Sequence, residues 1–435
     1  MKKGNVMRVL FILPNYPINI RNYIILPSLE IATMASVLEK NGHTVYLVDM
    51  KIENLDVTDL KNRLQDVEYD LVCVESIVQD HCEAIKVINE VKRINCNAII
   101  VLRGEICSFL PYECMEHIPN IDYVMRFENE KTIIELINCL NGKIDIEKVH
   151  NIAYRDDKDN IIVNTLEKPI ENLDDLPMPK RQLYDLPQYF KRSKETIVRS
   201  SRGCPGKCKF CNKTQLAPFR TFSINRFCDE IEELISYGFS QFFFSDDTFA
   251  YSNERLDEFY YEVKKRNLNI RFTSNLRIID INEEKIKKMK EVGAYRVFVG
   301  IETINAVSSK NINKNITSEY IIDKINILKK YNMEYHASFI VGSPDDTIDD
   351  LKETSKFIQI IEPTLVSFNQ LKPMPGTDIY NFPEKYGVAM KDRFWFEKDD
   401  WSRRCICSTK HLTAENIDEW KYKLIQSFIQ NEAIQ

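Results

Sequence analysis

Ser200-Ser-Arg-Gly-Cys-Pro-Gly-Lys-Cys-Lys-Phe-Cys211 is the stretch on which the reading of this chain turns. It follows a strand-like run at 196–200 and sets Cys204, Cys208 and Cys211 at CxxxCxxC spacing. The chain has only 12 glycines in 435 residues, well below the usual ~7%, yet two of them, Gly203 and Gly206, fall in this loop. A loop this tight can converge three thiolates on one centre. Thiolates are the usual anchors of iron–sulfur clusters, with four for a fully ligated cubane, so three leave one iron open. Structural zinc wants four Cys or His ligands in a closed tetrahedron, and the nearest histidines, His150 and His336, are far off in sequence. Cys228 shares a helical face with Ile224, Phe227, Ile231 and Ile235 and reads as a small core residue. A zinc site and inert thiols are the plainer alternatives.

Outward from the loop, a βα series can be counted. Strand candidates stand at 196–200, 241–245, 270–274, 295–300, 335–341 and 365–371. Helical periodicity follows at 224–235, 254–265, 283–292, 318–330 and 348–361, with a weaker pattern after Gly376. Six such units suit a partial barrel, in which the chemistry sits on the loops after the strands. Upstream, residues 1–145 alternate short β-branched runs (8–13, 44–48, 70–74, 98–102, 122–125) with helical segments at 28–41, 85–94 and 132–140. Five buried strands with helical crossovers predict an open parallel sheet of flavodoxin-like type, with ligands beyond the carboxyl ends of its strands. Between the two, 146–193 holds a hairpin (152–155 and 161–164, turned by the charged 156–160) and an extended, proline-punctuated linker at 173–179. The barrel is expected over 194–385. A small C-terminal segment, 386–435, carries three tryptophans, Cys405 and Cys407, and an amphipathic helix from about Ala414.

Composition narrows the function classes. Hydrophobic residues make up 44% and charged residues 29%, and the net charge is −6, which argues against disorder and against a basic nucleic-acid surface. No apolar run approaches the ~20 residues a membrane span needs, and the run at 7–13 is stopped by Pro14 too early for a signal-peptide core. A cytoplasmic protein is expected, its 12 cysteines serving as thiols or metal ligands rather than as a disulfide framework. His43, His117 and His411 read as ordinary surface or packed histidines.

The cysteine loop and the six βα units resemble the radical S-adenosylmethionine superfamily, whose cluster motif is CxxxCxΦC with aromatic Φ, here Phe210. The resemblance extends through Ser245-Asp-Asp-Thr-Phe249, Val299-Gly-Ile-Glu302, Val341-Gly-Ser-Pro344 and Pro373-Met-Pro-Gly-Thr377. It covers roughly 1–385 and is similar to the subclass with an N-terminal cobalamin-binding domain. The resemblance implies a [4Fe-4S] cluster on Cys204, Cys208 and Cys211. It also implies S-adenosylmethionine chelated at the open iron, and one-electron cleavage to a 5′-deoxyadenosyl radical that abstracts hydrogen from an unactivated carbon. In its terms Phe210 flanks the adenine, Asp246 or Asp247 meets the methionine ammonium, Glu302 the ribose and Arg277 the methionine carboxylate, and Gly342 lets backbone approach the adenine.

The cobalamin markers match in part. Ser76 and Gly104 are the positions the resemblance points to. Arg103-Gly-Glu105 keeps one of the usual paired glycines, and Pro27-Ser-Leu-Glu30 has Glu where Gly is common. Arg126-Phe-Glu-Asn-Glu130 puts Phe127 and Asn129 in a turn usually rich in glycine, which is expected to be rebuilt to avoid positive φ. The Asp-x-His-x-x-Gly source of an axial histidine is absent, Asp80 and His81 being adjacent. The resemblance implies cobalamin-dependent methylation of a small biosynthetic molecule, with flavodoxin or ferredoxin as electron donor. The same radical used without cobalamin for dehydration, epimerisation or rearrangement is the first alternative, and a zinc-stabilised binding module the second. Cys405 and Cys407 are too few for an auxiliary cluster and read as free thiols, a hydrogen-atom donor being the alternative.

Overall fold

The computed structural model describes residues 6–21, 25–213, 217–402 and 404–432. The chain divides into two compact units, one of residues up to Lys194 with Phe396–Asp399, the other of Glu195–Trp395 with the rest of the C-terminal segment.

The first unit is built on seven strands: β1 (Arg8–Leu13), β2 (Thr44–Asp49), β3 (Leu71–Ser76), β4 (Ile99–Gly104), β5 (Tyr123–Met125), β6 (Ile152–Arg155) and β7 (Ile161–Val163). Their order is β2-β1-β3-β4-β5-β6-β7. The first five pair in parallel and the last two antiparallel. The 2-1-3-4-5 order is that of flavodoxin-like folds. Both faces of β1 and β3 are buried, which is why these strands read as unbroken apolar runs rather than alternating ones. Helices Leu29–Lys40 and Thr132–Leu140 cover one face. The hairpin adds strands to this sheet. The proline-punctuated stretch is docked rather than free: Lys180 N donates to Ala32 O (3.0 Å), Ser36 Oγ to Met178 O (2.6 Å) and Tyr184 OH to Ser28 O (2.9 Å).

In the second unit a six-stranded, all-parallel sheet runs in the order β15-β14-β13-β12-β11-β8. Its strands are β8 (Glu195–Val198), β11 (Gln241–Phe244), β12 (Arg271–Arg277), β13 (Ala294–Glu302), β14 (Glu334–Val341) and β15 (Leu365–Gln370). A two-residue ribbon, β9 (Ser201–Arg202) with β10 (Arg220–Thr221), flanks the cysteine loop. Five successive crossover helices open on a side-chain cap: Ser223 accepts from Arg226 N, Ser252 from Arg255 N, Asn282 from Lys285 N, Thr317 from Tyr320 N and Thr347 from Asp350 N. Each cap contributes on the order of 1 kcal/mol and fixes where its loop ends. Behind the sheet Phe227, Phe244, Phe259 and Phe272 pack together, with Phe244 and Phe272 stacked at 4.1 Å. Helix Ala414–Glu432 lies against β14 and β15. Among the described residues no helix is long and apolar enough to cross a membrane.

Candidate functional site

Everything the second unit offers chemically lies just past the carboxyl ends of its strands. The loop leaves β9 through Gly203, which adopts φ +78° and where a Cβ would collide with the carbonyl oxygens of Ala217 and Pro218. Only glycine meets both demands. Ahead of the turn, the buried Asp246 carboxylate accepts from Ser200 N (3.1 Å), Ser200 Oγ (2.7 Å) and Ser201 Oγ. These bonds offset the burial that pushes its pKa up. Past the turn the loop is clamped from two sides. Lys209 N donates to Ile312 O (3.0 Å) and Asn313 Nδ2 to Lys207 O (2.8 Å). Lys209 Nζ pairs with Asp378 (2.6 Å), and Asn212 Nδ2 donates to Pro375 O (3.3 Å).

The three sulfurs share one electrostatic neighbourhood. Cys204 and Cys211 each sense Cys208 and Asp247, while Arg277 acts on Cys204 and Cys208, and Lys314 on Cys208. Burial raises all three thiols, Cys211 to about 12; a bound metal would deprotonate them regardless. Two groups among the described residues bring three donor atoms within 4.8 Å of one another, and the cysteine trio is not one of them. Three thiolates fall one short of a closed tetrahedral zinc site and suit a cluster with one iron left open. Cys228 is fully buried in helix Ile224–Ser236, behind the sheet.

The remaining residues of this unit fall as follows. Phe210 is half-buried in the loop, between Cys208 and Cys211. Asp247 is half-buried on the cysteine side, whereas Asp246 is committed to Ser200 and Ser201. Arg277 forks onto Asp280 through two bonds of 2.7 and 2.8 Å, and its Cδ passes 4.0 Å from where a Gly206 Cβ would be. Glu302 closes β13 at a register shift, with φ +72° for a non-glycine residue, a strained conformation often found at functional positions. Its carboxylate folds back over Gly300 and meets Lys314 Nζ at 3.4 Å; burial raises its pKa and Lys314 opposes the rise. Lys314, which also donates to Gly300 O (3.0 Å), carries no motif of its own and was missed by sequence reasoning. Gly342 adopts φ +84°, and a side chain there would collide with Ile417; this packing accounts for glycine independently of any ligand.

At the carboxyl edge of the first sheet Ser76 and Gly104 are register partners. Gly104 has φ +133°, and a Cβ would collide with the Ser76 carbonyl. Ser76 Oγ bonds His81 Nδ1 (2.7 Å). His81 is wholly buried, its Nε2 has no hydrogen-bond partner among the described residues, and burial holds its pKa down to about 4. The turn expected to be rebuilt is not: Phe127 keeps a left-handed φ of +56°. It is held there by its N–H on Ser108 Oγ (2.8 Å) and by an edge-on contact with Phe109. Asn129 accepts from Arg103 Nε (2.8 Å) and donates to Arg126 O (3.0 Å), so it ties this turn to β4.

A model of the radical SAM superfamily matches residues 198–358, from the end of β8 through helix Ile348–Ile361. Residues 198–358 form a radical SAM domain. A B12-binding domain matches residues 20–137, the core of the first unit. An "uncharacterized methyltransferase" of Pyrococcus horikoshii is 29% identical over 432 residues, covering 97% of this chain and 92% of that one. Two solved structures share the fold. One is OxsB, a cobalamin-dependent S-adenosylmethionine radical enzyme with aqua-cobalamin and S-adenosylmethionine bound (TM-score 0.80, 20% identity, 96% of this chain and 66% of that one). The other is TsrM from Kitasatospora setae, a radical S-adenosylmethionine methyltransferase with cobalamin and a [4Fe-4S] cluster bound (TM-score 0.75, 16% identity, 89% and 81%).

Proposed function

We propose that this chain is a cobalamin-dependent radical SAM enzyme that methylates an unactivated carbon of a small-molecule substrate. One observation carries the reading. Three cysteines stand on a glycine-turned, doubly clamped loop at the carboxyl edge of a six-stranded parallel sheet, in one electrostatic neighbourhood. That donor set fits a [4Fe-4S] cluster with one iron left for S-adenosylmethionine. When bound, the cluster supplies an electron to break the sulfonium bond and so to remove a hydrogen atom from the substrate, and cobalamin supplies a methyl carrier.

The chain's own residues have distinct tasks in this reading. Cys204, Cys208 and Cys211 hold the cluster, and Arg277 and Lys314 lower the cost of its negative charge. Asp246 fixes the entry to the loop through Ser200 and Ser201. Asp247, whose charge acts on Cys204 and Cys211, lies on the same turn and is suited to an ammonium group. Phe210, Glu302 and Gly342 complete the S-adenosylmethionine contacts. In the first unit Gly104 brings its backbone against Ser76 with no side chain between, and His81 Nε2 is an orphaned polar atom behind Ser76. A bulky ligand read through backbone contacts fits such an edge. The methyltransferase name of the Pyrococcus horikoshii relative and of TsrM supports methylation over the other radical outcomes. We assign the electron donor as a flavodoxin or ferredoxin and the compartment as the cytoplasm, in keeping with 12 free cysteines.

Anaerobic reconstitution tests this. Wild-type chain should carry about four irons, retain corrin absorbance, and form both 5′-deoxyadenosine and S-adenosylhomocysteine. Cys208→Ala should form no 5′-deoxyadenosine. Turnover by that variant, or zinc in place of iron and sulfide, would refute the cluster. Deoxyadenosine without S-adenosylhomocysteine would refute methylation.

A further inference from the structure

The strand that carries Glu302 ends in a turn that needs holding. Thr303 N donates to Ile301 O (3.0 Å) around Glu302, whose φ is +72°. An i→i+2 bond at that φ makes a γ-turn of the rare, strained hand. Such a conformation persists only where its surroundings over-determine it.

The holding group is a carboxylate from the next strand's loop. Thr303 Oγ1 donates to Asp346 Oδ1 (3.0 Å), and both residues are buried, at 4% and 2% exposure. The same hydroxyl oxygen accepts from Asn305 N (3.1 Å). Asp346 is itself fixed: its N–H donates to Ser343 O (3.0 Å), and Ser308 and the backbone of Ser343 face its carboxylate. The adjacent Asp345 grips the same segment twice, its carbonyl accepting from Asn305 Nδ2 (3.4 Å) and its carboxylate from Asn311 Nδ2 (2.6 Å). The loop after β14 therefore fixes the stretch from Thr303 to Asn311, with Glu302 at one end and Lys314 just past the other. Lys314 N donates to Ser309 O (2.8 Å), and its Nζ meets the Glu302 carboxylate at 3.4 Å. Gly300 leaves the space into which that carboxylate folds.

Taking Glu302 as the ribose contact of the proposed function, we propose that Asp346 is its positioning residue: by holding Thr303 it keeps the γ-turn that aims the Glu302 carboxylate, and so sets the affinity for S-adenosylmethionine. Among the described residues Asp346 forms no ion pair, and burying a carboxylate without a cation is costly. A hydrogen bond to a carboxylate is stronger than one to a neutral acceptor, which suits a bond that has to hold strain. Without it the turn relaxes toward extended backbone. Successive side chains there alternate between faces, so the Glu302 carboxylate is redirected away from Gly300 and Lys314 while the cysteine ligands stay in place.

Equilibrium dialysis of S-adenosylmethionine against the full chain, reconstituted anaerobically with its cluster left oxidised, reads binding without turnover. Thr303→Val keeps the side-chain shape and removes the donor; Asp346→Ala removes the acceptor. The two test one bond from its two ends, so either variant that folds carries the test. Each should raise the dissociation constant roughly tenfold with iron content unchanged, and Thr303→Ser should restore the wild-type value. Glu302→Ala should weaken binding at least as much. Thr303→Val added to Glu302→Ala should weaken it no further, because the bond acts through that carboxylate. Losses that multiply to about a hundredfold in the double variant overturn positioning in favour of a general structural role. A Thr303→Val or Asp346→Ala constant equal to wild type, beside a weakened Glu302→Ala, overturns it as well. A Glu302→Ala constant equal to wild type removes the ribose assignment itself and, with it, any part for Asp346 in binding.

Discussion

Both parallel sheets present their candidate chemistry at the carboxyl edge, yet they build that edge in opposite ways. In the first unit the edge is continuous with the core. Ser76 and Gly104 meet backbone to backbone, Arg103 is buried against Glu75 and Asn129, and Lys51 is buried against Asp80 at 2.7 Å. In the second unit the working residues hang on an excursion outside the sheet, held by contacts such as Lys209–Asp378 and Asn313–Lys207. A site that acts through backbone approach must be part of the packing. One that acts through side-chain donors needs only a well-clamped loop.

The sharpest way to break this contrast is at glycine. Gly104→Ala forces a Cβ into the Ser76 carbonyl at φ +133°; both sides of the clash are backbone, so nothing flexible can yield. Urea unfolding should show a loss of ~4 kcal/mol or more, together with loss of corrin retention. Gly238→Ala, at φ +96° with nothing within 4 Å of its Cβ, should cost only ~1 kcal/mol of backbone strain. Equal costs would mean that the first edge is no lock.

The same contrast explains what could be read from sequence. The strands were legible because buried strands leave short β-branched runs, and the crossover helices because apolar periodicity marks the face each turns to the sheet. The cysteine loop was legible because cluster ligation demands one residue type at fixed spacing. Phe127 was not: the sequence argued for a rebuilt turn, but Ser108 and Phe109 hold the left-handed conformation, and neither is a neighbour in sequence. Lys314 escaped for the same reason, since its role arises from reaching Gly300 and Glu302 across a loop. Asp246 and Asp247, indistinguishable as a pair in sequence, are separated by one step of backbone direction: one faces Ser200, the other the thiols.

Acid sharpens the comparison, because each unit buries one group of opposite sign. Burial holds His81 at about 4, below its ordinary ~6.5. Between those values the unfolded chain binds a proton that the native state refuses, so stability falls as pH drops. Burial lifts Asp346 to about 7, despite a bond from Thr303. Between ~4 and 7 the native state keeps a proton that the unfolded chain has released, so stability falls as pH rises. At ~1.4 kcal/mol per pH unit the His81 effect is worth up to ~3.5 kcal/mol and the Asp346 effect up to ~4 kcal/mol. Unfolding free energies from pH 4 to 8 should show His81→Phe removing the acid-side slope and Asp346→Asn removing the opposing one. If either variant leaves the wild-type profile unchanged, its group is not buried in the charge state argued here.

The smallest effect on stability is expected where the second edge is clamped. Lys209 and Asp378 keep 39% and 32% of their side chains exposed, and ion pairs in that setting contribute less than ~1 kcal/mol. Lys209→Met should therefore leave urea unfolding within that margin. The loop feels the loss differently, because its opening does not require the sheet to unfold. About 1 kcal/mol charged wholly to that opening is roughly a fivefold change in its population. Iron should then transfer to an external chelator roughly fivefold faster from Lys209→Met than from wild type, and Asp378→Asn should match it, since each removes the same contact. Faster iron loss with unchanged unfolding would locate the weak link of the second edge in this clamp. Unchanged iron loss would shift the burden to Asn313 and Asn212, the two amide contacts that hold the same loop from the neighbouring segments.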